Sequence, residues 1–307
     1  MKKNNRVYGI CGVRSVNSNW NAAFDGNPKT TINGTIYGSD KALKYAIRNY
    51  WNENKEKVLY FKSLKIDNKT GEFGLNDLEE RYEQLFGHHL NDKKTKDDKS
   101  LIYKNLFNAL DVENFGATFA SKNCNISLTG AVQIGQGINK YEDTNIEVQD
   151  ILSPFRNSNE KSEESLQGSI GKKIMVDEAH YFYGFSVNPY SYNDISKLIG
   201  VEVYTEEAYE KLKEAMLYAV NNLNTCNKYG CDNEFTLFVN MKENSRATLK
   251  DLAQNIKFYK DGAMNVIDLT GLDFLNDNEN IESIEIYNDS LVKIIHNFNL
   301  KLIFKTI

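Results

Sequence analysis

Several groups of residues in the chain have the types and spacing that chemistry needs. Asp177-Glu178-Ala179-His180 matches the carboxylate motif with which helicase-type ATPases hold Mg²⁺ and orient water. That chemistry also needs a phosphate loop of form GxxxxGK[ST], separated from the carboxylates by a full βαβ unit. Gly168-Ser169-Ile170-Gly171-Lys172-Lys173 is too short, lacks the Ser/Thr and lies only a few residues upstream. An ATPase is therefore not expected. Gly130, Gly135 and Gly137 do not follow the GxGxxG order, and no acidic ribose partner is placed. Cys226 and Cys231 have no second pair or His cluster to complete a metal site, so they read as two free thiols near a loop. His88-His89 lies in a polar stretch, and His180 and His296 are isolated, which suits structural roles. No Ser/His/Asp or Cys/His order marks a nucleophile. What remains is a polar, glycine-containing segment, Phe24-Asp25-Gly26-Asn27-Pro28-Lys29-Thr30, followed by a run of spaced cations.

The elements around these residues can be read from their patterning. Residues 6–16 form a strand with small residues inserted. Residues 17–38 read as a long loop with Asp-Gly, Asn-Pro and Asn-Gly turn signals, and loops of that length tend to carry function. Residues 39–53 form a helix capped by Ser39 or Asp40, with Ala42, Ala46, Ile47 and Tyr50 on its apolar face. Lys41, Lys44 and Arg48 fall at i, i+3 and i+7 and so share another face, placing three cations beside the loop. A plain solvated face is the default explanation for them. Residues 52–104 are dominated by charges of both signs, including the run at 93–99, and read as an exposed insertion. Residues 126–138 are strand-like and end in glycines. Residues 139–173 hold few apolar residues and suggest a projection, before Tyr- and Phe-rich strand sequence returns at 175–189. Residues 205–223 are the clearest helix. Thr205 caps it, and Ala208, Leu212, Ala215, Met216, Ala219 and Leu223 line one face. Strands at 234–240 and 300–307 follow. Strand, helix, strands, strand, helix, strand is the order of an α+β, ferredoxin-like (RRM-like) core, of the kind that binds single strands on an open sheet face.

Composition bounds the possibilities. With 307 residues and 41% hydrophobic, the chain can bury a full core in a single domain over 1–307. No apolar run approaches the roughly 20 residues of a membrane span, and the basic N-terminus lacks the apolar stretch of a signal peptide. Four irregularly spaced cysteines in a long chain fit a reducing cytoplasm better than a disulfide framework. Net charge is −5, which argues mildly against nucleic acid, but residues 1–50 carry eight Lys/Arg and two Asp. A cationic end on an anionic body can hold a polyanion locally, because charges beyond a Debye length of ~8–10 Å are screened.

Four segments, in order, resemble the Cascade backbone subunit of type I CRISPR systems, a member of the RAMP superfamily, and are closest to the type I-B variant. The first is Phe24–Thr30, similar to the family's Asp-Gly-Asn-Pro-Arg-Thr loop. The second is Asp111-Val112-Glu113-Asn114-Phe115-Gly116-Ala117, where the family reads Asp-Val-Arg and then Phe-Gly-Ala. The third is Thr129-Gly130-Ala131-Val132-Gln133, like Gly-Pro-Val-Gln. The fourth runs from Gly168 through Gly171-Lys172 and Tyr181 to Gly184-Phe185-Ser186-Val187-Asn188-Pro189, like Met-Gly-Arg, Tyr and Gly-Phe-Val-Asn-Pro. Two departures stand out. Glu113 replaces a common Arg, so no RNA contact is carried there, and Ile170 replaces a common Met.

The resemblance implies a ferredoxin-like palm, a finger-like insertion at 52–104, a thumb-like hairpin at 139–180, and a C-terminal part, 246–307, completing the palm. It implies a non-enzymatic protein without cofactor or metal that grips a CRISPR guide RNA through its backbone, leaving bases to pair with target DNA. Copies would stack head to tail alongside capping, large and guide-processing subunits, away from membranes. Arg14, Lys29, Lys41, Lys44 and Arg48 would supply charge. Gly26 and Asn27 would let backbone approach phosphate, and Gln133 would bond ribose or phosphate. Ile170 would act as an apolar wedge, and Lys172 and Lys173 would flank the thumb. Two other readings stay open. One is a type III-like subunit that cleaves target RNA with a metal at Asp25. The other is a ferredoxin-like module that binds only protein.

Overall fold

A computed structural model describes residues 1–67, 70–90, 99–121, 124–156 and 167–307, with backbone only at 153–156 and 167–170. The run 93–98 of the mixed-charge insertion lies outside the described residues. Lys99 opens a helix.

The first strand, β1 (Val7–Ser18), is nearly continuously buried, as its apolar run requires of a strand covered on both faces. A short β2 (Tyr37–Gly38) leads into α1 (Asp40–Glu53), whose N-cap Ser39 accepts a hydrogen bond from the Ala42 amide. The insertion that follows holds β3 (Leu64–Ile66), β4 (Phe73–Leu75), α2 (Leu78–Phe86) and α3 (Lys99–Phe107). Asp77 and Glu80 form a reciprocal capping box at the start of α2. Next come α4 (Leu110–Phe115), β5 (Gly116–Ala120) and β6 (Asn125–Thr129). The glycine-punctuated stretch then forms β7 (Val132–Ile134) and β8 (Gly137–Asn139). A long hairpin joins β9 (Ile146–Arg156) to β10 (Gln167–Val187). After α5 (Asn193–Ile199) and α6 (Glu206–Asn222) come β11 (Cys231–Met241), β12 (Lys257–Asp261), β13 (Met264–Asp268), β14 (Ile281–Asn288), β15 (Val292–Ile295) and β16 (Leu302–Thr306).

The main sheet runs β16-β14-β11-β1-β10-β8-β2, with β7 and β9 also on β10. β1 lies between β10 and β11 and is antiparallel to both. Helices α1 and α6 cover one face. The α6 stripe read from the sequence, Ala208, Leu212, Ala215, Met216, Ala219 and Leu223, is buried there together with Leu43, Ile47 and Trp51 of α1.

The other face departs from expectation. Tyr8, Ile10, Phe182, Phe235, Leu237 and Val239 are packed beneath Leu252, Ile256, Phe258, Ile267, Leu269 and Leu272 of the C-terminal segment. These strands therefore have no open face for a single strand to lie on, in contrast to the open-faced modules with the same element order. The reason is energetic. Each such side chain contributes roughly 1.5–3 kcal/mol on burial, and an uncovered row of them would be a large apolar patch. A ligand track must lie on loops and projections instead.

Candidate nucleic-acid interface

The segment 19–38 is a folded loop held by backbone hydrogen bonds. Isolated bridges Ala22↔Pro28 and Thr30↔Ile36 fold it into two tight turns. Gly26 sits at φ +86°, a conformation that favours glycine, and its amide donates to the Ala23 carbonyl at 3.1 Å. Asp25 is exposed. Its two carboxylate oxygens accept from the Asn27 backbone amide (3.0 Å) and Asn27 Nδ2 (2.8 Å). These hydrogen bonds, the side-chain one first, hold the Asp25 carboxyl below its usual range. Asp25 thus shapes the turn. Among the described residues no group of three or more His, Cys, Asp or Glu is arranged to hold a metal ion.

Two ties position this loop. At its start, Asn21 Oδ1 accepts from the Ser39 amide at 2.8 Å, which anchors it to the first turn of α1 and so beside Lys41. At its middle, Asn19 Nδ2 donates both to the Gly26 carbonyl (3.0 Å) and to the Ile174 carbonyl at the root of the β9–β10 hairpin (3.2 Å). A side chain built at Gly26 would lie 3.6 Å from Ile174 Cδ1. The structure thus places the Gly26 turn against the hairpin root at Ile174, two residues from Lys172, and ties the start of the loop to the first turn of α1, which carries Lys41. Lys172 lies opposite Asp150 and Lys173 opposite Gln149. Being consecutive on a strand, the two lysines face opposite sides of the hairpin.

The other candidates are placed differently. Lys41 and Lys44 both reach Asp40, at 3.3 and 3.2 Å, but Lys41 is 85% exposed, whereas Lys44 is largely covered and lies over the Phe115 ring. Arg48 turns inward, with its Nε 3.0 Å from the fully buried Asp111. The three cations share a helix face, but only Lys41 presents its charge to solvent. Arg14 lies on β1 opposite His180, with its Nε 3.5 Å from Glu178 Oε1. Gln133 is opposite Ser186, 13 residues along β10 from Lys173, or roughly 43 Å at strand rise, and donates to the Gly130 carbonyl at 2.9 Å. It belongs to the far end of the strand. Ile170 lies on β10, but its side chain falls outside the described residues.

The motif at 177–180 is built into the sheet. His180 is buried, with Nδ1 2.8 Å from Glu234 and Nε2 3.2 Å from Glu178, and it stacks on Phe258. Glu178 also pairs with Lys260. These residues join the C-terminal layer to β10. Glu113 accepts from the Thr205 amide (2.8 Å) and hydroxyl (3.0 Å), tying α4 to the cap of α6. Sequence reading missed Asn19, Lys228 and Asp111. Each acts on a partner 50 or more residues away, and no local pattern reveals such pairings.

The fold is similar to that of known assemblies. One solved chain, described as "CRISPR RNA-guided surveillance complex, pre-nicking", aligns over 95% of this chain and 96% of its own, at 13% identity and TM-score 0.51. Another, described as "CRISPR RNA-guided surveillance complex", aligns over 91% and 88% at 13% identity and TM-score 0.43. No curated protein is detectably similar in sequence. The family model for "CRISPR-associated protein Cas7" matches residues 5–289, and the chain belongs to that family.

Proposed function

We propose that this chain is a guide-RNA-binding backbone subunit of a type I CRISPR surveillance complex, closest to the type I-B variant. Family membership over nearly the whole chain is the observation that carries this reading. The strand order β11-β1-β10-β8, with α1 and α6 on one face, supports a ferredoxin-like palm. The insertion with β3, β4, α2 and α3 supports a finger over 52–104. The β9–β10 hairpin supports a thumb within 139–180, and residues 246–307 complete the palm by covering its second face.

The RNA would run over the joint surface that the 19–38 loop and the hairpin root form where Asn19 ties them together, gripped through its sugar–phosphate track. Lys29, Lys41 and Lys172, which shares a strand face with Ile174 beside Gly26, supply charge, Lys173 offers its charge on the opposite face of the hairpin, and the Gly26–Asn27 backbone gives close approach. In this reading Arg14 and Gln133 contact the RNA away from this surface, and Arg48 and Lys44 support the fold that presents Lys41. The subunit assembles head to tail with copies of itself and with other subunits of the complex, holds guide RNA for pairing with target DNA, and performs no catalytic step of its own. Buried thiols at Cys11 and Cys231, outside any disulfide, suit a reducing cytoplasm.

Purification from cells that express the protein with a CRISPR array tests this. A short RNA of uniform length should copurify with it. Protein free of nucleic acid under those conditions, with no RNA-dependent assembly on adding guide, would contradict the reading.

A further inference from the structure

We propose that Asn19 and Lys228 are positioning residues for the nucleic-acid track, together fixing the Gly26 loop against the root of the β9–β10 hairpin. This rests on the RNA-binding reading above, and it assigns roles to two residues that make no contact with RNA themselves.

Asn19 is 2% exposed. Its amide group donates to two carbonyls on different segments, Gly26 in the loop and Ile174 in the hairpin. The gap between loop and hairpin is therefore set by one side chain. Behind it, Lys228 Nζ donates to the backbone carbonyls of Asn19 (2.5 Å) and Trp20 (2.6 Å) and lies over the Trp20 ring. The Asn19 amide also donates to the Asn227 carbonyl at 3.0 Å, so the segment is held from both sides of its backbone.

Lys228 makes no ion pair with a carboxylate among the described residues, and burial lowers its pKa. Lys228 is half-buried, and an ammonium partly withdrawn from water without a counter-ion carries a desolvation cost that an apolar side chain would not. The cation is explained by what it holds: two carbonyls at the start of the loop, kept aligned so that the Asn19 amide can bridge. Releasing the bridge would loosen the loop backbone from the face of the hairpin that carries Ile174 and Lys172.

Positioning and direct contact differ in their salt dependence. A lost phosphate contact on a single strand lowers the slope of log K against log salt by about 0.7, whereas a lost positioning contact lowers affinity at every salt with the slope preserved. The full chain would be titrated with a uridine homopolymer over a range of salt, comparing wild type, Asn19→Ala, Lys228→Met, Lys228→Arg and the double variant Lys172→Ala/Lys173→Ala. Asn19→Ala and Lys228→Met should each lose about tenfold in affinity on lines parallel to wild type. Lys228→Arg should retain binding. The double variant should lose at least about 0.7 in slope.

Amide exchange in Asn19→Ala should rise over residues 21–27 while β1 and β11 stay protected, which separates loop release from unfolding. Should Asn19→Ala not fold, the Lys228→Met and Lys228→Arg pair carries the test. Wild-type affinity in Asn19→Ala and Lys228→Met, alongside weakened binding in the double lysine variant, would overturn the inference and leave the RNA reading standing. A reduced slope in Lys228→Met would make it a phosphate contact and also overturn the inference. Unchanged binding in all variants would remove the RNA reading itself.

Discussion

Arg48 Nε lies 3.0 Å from Asp111 Oδ2, and this pair joins α1 to α4 beneath the insertion. Asp111 is fully buried and also accepts the Leu59 (2.8 Å) and Tyr60 (2.9 Å) amides, so both of its oxygens serve the fold. Arg48 is 18% exposed and lies over the Phe115 and Tyr60 rings. The family-like Asp-Val segment at 111–112 thus reads as a structural anchor.

Removing one partner of such a pair leaves an uncompensated buried charge. Arg48→Ala should lower unfolding stability by about 3–5 kcal/mol in urea denaturation. Lys41→Ala should leave the denaturation midpoint unchanged and weaken RNA binding alone. Equal stability losses for the two would contradict the assignment.

Glu113 gives a pH-dependent prediction. Burial raises its carboxyl pKa above the ordinary value, against the lowering effect of the Thr205 hydrogen bonds. A carboxyl whose folded pKa is raised holds its proton more tightly when folded. Its ionisation therefore costs stability as pH rises from the unfolded pKa through the folded one. Glu113→Gln, which keeps an acceptor for Thr205, should be more stable than wild type at neutral pH. The gain should disappear as pH falls below the usual carboxylate range. Thermal melts of both proteins across pH 3–8 check the sign (~3–8 bracketing the carboxylate range).

Gly184 has no room for a side chain. A methyl group there would sit 1.8 Å from Asp251 Oδ1, which caps the Ala253 amide at the start of the C-terminal layer. Gly184→Ala should cost about 1–3 kcal/mol by overpacking. The loss should be partly relieved in Gly184→Ala/Asp251→Ser, with the double-mutant cycle giving a coupling of at least ~0.5 kcal/mol. Additivity would place the strain elsewhere.

The cysteines differ in access. Cys226 is exposed, while Cys11, Cys124 and Cys231 are buried, and burial pushes the Cys11 thiol up to about 12 and Cys231 up to about 11. The thiolate is the reactive form, so a thiol-modifying reagent should label one cysteine in the native protein and four after denaturation. Mass mapping should find the native label on Cys226.

The sequence was most legible where the pattern is local. The stripe of α6 and the cap at Thr205 are where periodicity puts them, and β1, α1 and β11 lie within a few residues of their expected spans. The stretch 126–138, read as one strand, is three short ones separated at Gly130 and Gly135. The covering layer was not visible. Strands β12, β13 and β15 are only 4 or 5 residues each, and β13 pairs in parallel with β15 across an intervening strand, so no alternation announces them. Helical spacing put Lys41, Lys44 and Arg48 on one face. It could not show that Asp111, 63 residues away, had already taken Arg48.

Photocrosslinking of 4-thiouridine-substituted guide RNA, with the attached peptides mapped by mass spectrometry, tests the central claim most directly. Adducts should fall both within 19–41 and at the hairpin root around 171–176. Adducts confined to the C-terminal layer over Phe182 and Phe235, with none in the loop or hairpin, would contradict it.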